Sequence, residues 1–177
     1  MTNAFGYLVD AIISIILFLF MMRLLLQLTR ADFRNPMARG IMQLTDWLIM
    51  PLRKVLPPIG RLDTASLMAV LLIAGAGIGL ARLVQGAEIL PADSWVLASL
   101  RLCLQTVLAI YFFAILVSVI ISWVAPGGYS PAHQLVDALT TPVLRPIRSV
   151  LPALGGFDFS PVVALLAIGF VQRLLGL

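Results

Sequence analysis

Residues 35–63 read NPMARGIMQLTDWLIMPLRKVLPPIGRLD, and residues 130–158 read SPAHQLVDALTTPVLRPIRSVLPALGGFD. Set against each other at a constant offset of 95, without a gap, they agree at ten of 29 positions. Most agreements fall on Pro, Gly, Arg, Asp and Thr rather than on interchangeable Leu and Val. Each copy lies between long apolar segments. The chain therefore reads as two copies of one membrane unit, residues 1–88 and 89–177, forming one integral membrane domain.

Composition agrees. The 177 residues are 61% hydrophobic and only 11% charged, with a mean hydropathy of +1.06. A soluble domain carries about 25% charged residues, so this chain needs lipid as its solvent. The net charge of +4 and pI near 10 would suggest nucleic acid in a soluble protein. Here the basic residues cluster beside apolar segments, which points to the bilayer and its anionic headgroups and away from nucleic acid. The single cysteine, Cys103, lies in an apolar run and reads as a packing residue.

Four segments are expected to span. Phe5 to Leu28 is long enough to cross a hydrocarbon core of about 30 Å and, with no preceding positive charge and no small-residue cleavage site, reads as an uncleaved anchor. Residues 64–81 and 102–124 are uncharged runs, and residues 159–177 form the fourth span, interrupted by Gln172 and Arg173. Arg23 is expected to snorkel from the first span to the interface. Eight of the twelve Lys and Arg lie in the two repeated connections, which places those connections in the cytoplasm. With two spans per repeat the repeats are parallel, and both termini and the 85–99 linker lie on the periplasmic side.

Each connection opens on a helix start, Asn35-Pro36 or Ser130-Pro131, with proline in the first turn. Apolar Met37, Ile41, Leu44 and Leu48 then recur at helical spacing, with Arg39, Gln43 and Asp46 on another face. Leu135, Val136, Leu139 and Val143 repeat the plan in the second copy. Such a helix lies flat in the headgroup plane or re-enters under a cover of protein. The fold class is thus all-α membrane, four transmembrane helices as two parallel repeats of span, amphipathic or re-entrant helix, Pro-rich turn and span.

After each amphipathic helix come Pro51-Leu52-Arg53-Lys54-Val55-Leu56-Pro57 and Pro146-Ile147-Arg148-Ser149-Val150-Leu151-Pro152. Two prolines six apart forbid one regular helix through both and hold the arginine at a set height. Asp63 and Asp158 follow at the doorstep of the next span, where they fit helix N-caps or partners for the arginines across the repeat. Arg53, Arg148 and Arg145 are the candidate binding residues, for an acidic partner or lipid phosphate. Gly75 and Gly79 form a small-xxx-small pair that serves packing within the bundle or between copies.

These strings resemble the YggT family of small bacterial membrane proteins, related to the YlmG proteins of Gram-positive bacteria and plastids. In the second half the likeness rests on Ser122-Trp123, Ser130-Pro131, Leu139-Thr140, Pro142, Arg145-Pro146-Ile147-Arg148, Leu151-Pro152 and Asp158-Phe159-Ser160-Pro161. The first half departs at Trp47 and Met50, where the second copy has Pro142 and Arg145. The resemblance implies an inner-membrane protein linked to osmotic stress tolerance or to cell division, and in plastids to cytochrome haem assembly.

The residues themselves offer no nucleophile–base arrangement, Gly-rich phosphate loop or set of metal ligands, and His133 reads as a solvated helix-face residue. No catalytic residue, cofactor or metal is expected. The favoured function is a non-enzymatic scaffold or assembly factor with a membrane-protein partner or a second copy of itself. The alternatives are a channel, transporter or ion-transport accessory, and a lipid-modifying enzyme.

Overall fold

The computed structural model describes residues 4–60, 62–88, 90–124, 130–151 and 158–176. These residues form six helices: α1 (Ala4–Leu28), α2 (Pro36–Val55), α3 (Thr64–Gln85), α4 (Ala92–Val124), α5 (Pro131–Val150) and α6 (Ser160–Leu174). Among them there is no strand; the turn between α2 and α3 carries one isolated bridge, Ile59 with Leu62, around Gly60 at φ +59°.

Three helices, α1, α3 and α4, are long and apolar enough to cross a membrane. The fourth expected span is shorter than anticipated. α6 has 15 residues, about 22 Å at 1.5 Å per residue, where a crossing needs about 20 residues. Its end is set locally: Gly176 takes φ +62°, and its amide bonds back to the Arg173 carbonyl. α4 is the opposite case. It begins at Ala92, ten residues before the expected start, and its 33 residues absorb much of the anticipated linker. Asp93 in the first turn complements the helix dipole there.

The starts of α2 and α5 are as the sequence predicts. The Asn35 side chain accepts the amides of Met37 (2.8 Å) and Ala38 (3.4 Å), and Ser130 accepts that of His133 (3.1 Å). Pro36 and Pro131 open the two helices. The proline strings, however, do not wholly follow the helices. α2 runs through Pro51 and α5 through Pro142 and Pro146, and each ends short of the second proline of its string. Pro51 and Pro146 are exposed on their helices, and each removes one backbone hydrogen bond from its helix. Pro57 lies in the exposed turn after α2, while Pro152 lies outside the described residues.

The chain divides into two compact units, one of Met1–Leu24 with Ile41–Thr106, the other of Leu25–Gly40 with Val107–Leu177. In the first, Leu17, Phe20 and Met21 of α1, Ile49 of α2 and the small face of α3 (Ala65, Ala69, Ala74) are buried. α3 approaches its neighbours through glycine. A Cβ on Gly79 would lie 2.8 Å from the Trp95 ring, and one on Gly77 2.5 Å from Ile13. Trp95 Nε1 donates to the Gly75 carbonyl at 3.0 Å. Gly75 and Gly79 therefore pack inside the chain, against α4. In the second unit, Ile115 of α4, Leu144 of α5 and Ala164 and Ile168 of α6 make one core. Asn35 also donates to the Pro131 carbonyl at 2.7 Å, tying the α1–α2 connection to the start of α5.

Candidate functional site

Each arginine of the repeated string finds the aspartate ten residues after it. Arg53 Nη2 donates to Asp63 Oδ2 at 2.7 Å, and Arg148 Nε to Asp158 Oδ2 at 2.8 Å. The pairs form within each copy, clasping the end of the amphipathic helix to the start of the next helix across the turn. Charge-assisted pairs of this kind are the strong ones. The aspartates fill the expected capping role only in part. Asp63 occupies the N-cap position of α3 without a side-chain bond to the cap amides, and accepts instead from the Ser66 hydroxyl at 2.6 Å. Asp158 lies one residue before the α6 N-cap, Phe159, and accepts the Ser160 amide at 2.9 Å.

The two clasps differ in access. Arg53 and Asp63 are 36% and 6% exposed, whereas Arg148 and Asp158 are 51% and 43% exposed. Partial burial pushes the Asp158 carboxyl up, but bonds from Ser160 and the Arg148 guanidinium outweigh it and hold the group below its ordinary value. Arg145 is exposed and makes no ion pair with a described residue.

Arg23 departs from expectation. Its side chain is 1% exposed and does not snorkel. Nη1 donates to Asp46 Oδ1 (2.7 Å), Thr45 Oγ1 (2.7 Å) and the Met42 carbonyl (3.1 Å), all on α2. Its Nε and Nη2 are buried without a hydrogen-bond partner among the described residues. A long-range ion pair thus pins the middle of α2 against α1. On α2, Ala38, Thr45 and Ile49 are buried, while Met37 and Leu44 of the apolar stripe are exposed together with Trp47. Trp47 is 67% exposed and meets Phe20 of α1 only edge-on, with ring centroids 6.0 Å apart.

At the offset of 95, the counterparts of Arg23 and Asp46 are Ser118 and Thr141. In the second unit those two residues line an open crevice of about 530 Å³ bounded by the end of α4, one face of α5 and the start of α6. The α5 side carries His133, Asp137, Thr141 and Arg148, spaced along one helical stripe, and Asp158 faces them from the start of α6. His133 Nε2 lies 3.3 Å from Asp137 Oδ2. Val119, Trp123, Phe159 and Val162 supply apolar walls. A second, shallower hollow of about 660 Å³ shares His133, Asp137 and Thr141 and is bordered by Thr29 to Asp32. There Arg30 takes φ +55° at the end of α1, a place that ordinarily favours glycine.

The sequence singles out Arg53, Arg148 and the two aspartates but does not identify the crevice, which three helices line and which has serine at 118 where the first copy has Arg23. The signal that could have found it is the same offset carried back into α1 and α4.

Comparison with known proteins gives one consistent family. A model of the CCB3/YggT family matches residues 2–84 and again 97–177. An uncharacterized protein of Pseudomonas aeruginosa is 38% identical over 179 residues, covering 95% of this chain and 86% of that protein. The uncharacterized protein YggT of Escherichia coli K12 is 34% identical over 167 residues, covering 94% and 86%. An uncharacterized Vibrio alginolyticus protein is 29% identical over 175 residues, covering 98% and 94%. No solved structure matches.

Proposed function

Because the chain belongs to the CCB3/YggT family, we propose that it is a non-enzymatic, multi-pass protein of the bacterial inner membrane acting as a scaffold or assembly factor. The observation that carries this reading is the pair of Arg–Asp clasps, which hold two amphipathic helices in fixed attitudes. A surface held this way suits docking, since little further ordering is needed on binding. α5 offers Gln134, Asp137, Arg145 and Ser149 on its exposed face, and α2 offers Leu44, Trp47 and Met50. The first set fits a polar partner at the membrane surface, and the second fits the acyl boundary.

In this arrangement the basic connections face the cytoplasm, the termini face the periplasm, and the two repeats run parallel. α6 completes a fourth crossing where the bilayer thins around its short apolar length. The pathway served is one of osmotic stress tolerance or cell division, supported by family resemblance alone. Cross-linking in intact membranes at native expression, with mass spectrometry of what co-purifies, tests the proposal. A stoichiometric membrane-protein partner, lost when Arg148 or Arg145 is replaced although the chain still inserts, is the expected result. Recovery of no cross-linked partner, neither another membrane protein nor a second copy, would refute the scaffold. The polar crevice favours one second reading, a channel or ion-transport accessory, for which ion flux through purified protein in liposomes is the discriminating assay.

A further inference from the structure

We infer that the crevice of the second unit is a binding site for a phospholipid with a phosphoethanolamine headgroup, seated at the Arg148–Asp158 pair. The two units differ at matching positions. Arg23 and Asp46 meet as a buried ion pair in the first unit, whereas Ser118 and Thr141 leave about 530 Å³ open in the second. That volume falls within the range of small-molecule sites, about 300–1,000 Å³.

The charges in the crevice select the ligand. Arg148 binds Asp158 through Nε, and its Nη1 and Nη2 make no hydrogen bond to a described residue. Both members of the pair are about half exposed, unlike the closed Arg53–Asp63 pair. A phosphate can take the guanidinium fork, the geometry at which arginine is best. An anionic headgroup alone would then set its negative charge beside Asp158, with Asp137 further along the same wall. A zwitterion removes that conflict by placing an ammonium against the carboxylate.

Ethanolamine brings three N–H donors to the aspartate, whereas choline brings none, so the site discriminates between two lipids of equal net charge. The walls suit the rest of the molecule. Val119 and Val162 line the crevice beside Leu144, giving an acyl chain an apolar track. Trp123, one residue before the end of α4, is 77% exposed and Phe159 precedes α6, the aromatic pattern of a membrane–water interface.

Native mass spectrometry of the full chain, released from micelles holding equal amounts of phosphatidylethanolamine, phosphatidylcholine and phosphatidylglycerol, tests the inference. One phosphatidylethanolamine should be retained at least about five-fold over either competitor. Arg148→Gln should reduce that retention to the phosphatidylcholine level, and Ser118→Arg with Thr141→Asp, which refills the crevice, should abolish it. Lys54→Gln, exposed on α2, should leave it unchanged. Equal retention of the three lipids by the unaltered chain, or preferential retention of phosphatidylglycerol, would overturn the inference. So would a phosphatidylethanolamine preference that survives both the Arg148 and the Ser118–Thr141 changes.

Discussion

The α1–α2 pair and the α4–α5 pair are written on the same plan and solved differently. In both, a threonine of the amphipathic helix bonds back to its own helix, Thr45 to Ile41 and Thr140 to Val136. In both, an arginine meets an aspartate ten residues on. Between these shared points, one pair is filled by the Arg23 guanidinium and the other stands open at Ser118. The difference teaches that the shared motif specifies the frame, while single residues outside it decide whether the frame encloses an ion pair or a cavity.

The largest effect should come from breaking the filled pair. Asp46→Ala leaves Arg23 buried and uncompensated, at a cost of about 3–5 kcal/mol; denaturation of purified protein in detergent micelles measures it. Arg23→Leu in the same chain should recover most of the loss, because no buried charge is then left alone. The open pair gives the converse. Ser118→Arg alone should destabilise, and adding Thr141→Asp should offset much of that, giving a favourable coupling in a double-mutant cycle. Additive effects would mean that the two helices are not placed as the α1–α2 pair is.

A smaller loss is expected at the close approach of α3. Gly79→Ala drives a Cβ into the Trp95 ring, and overpacking of this kind costs about 1–3 kcal/mol. Gly40→Ala, with nothing within 4 Å of its Cβ, should be tolerated. The smallest effect is electrostatic. The Asp158 carboxyl is held below its ordinary value, so the folded chain binds fewer protons there than the unfolded one. Its stabilisation is present above the unfolded value of about 3.9 and is lost as pH falls through the lowered one. Carbon-detected NMR of Asp158 should show a titration moved to lower pH, and Arg148→Gln should move it back upward.

Much of the frame is legible in the sequence. Asn35-Pro36 and Ser130-Pro131 declare helix starts through local capping chemistry, and fixed Arg-to-Asp spacing bounds the clasps. What was not legible depends on tertiary partners or on the choice of solvent. Arg23 reads as a snorkelling residue until α2 brings Asp46 beside it, 23 residues later in the chain. The apolar stripe of α2 reads equally as a face for the acyl boundary or for covering protein, and only the packing of α2 against α1 leaves Met37 and Leu44 exposed, as lipid permits. The early start of α4 was hidden by Asp93 and Ser94, polar residues that read as linker and serve its first turn. Asp63 and Asp158 read as caps or as arginine partners, because a carboxylate before a span has both roles available; both meet their arginine, and Asp158 also takes a helix-start amide.

The contrast between a filled and an open pair is tested most directly by thiol accessibility in nanodiscs, in a Cys103→Ser background. Ser118→Cys places a thiol in the crevice, and Thr45→Cys places one against Arg23, where the threonine is fully buried. The thiol at 118 should react with a small polar methanethiosulfonate at least about ten times faster than the one at 45, by the logic that modification follows access. Equal rates at the two positions would contradict the account.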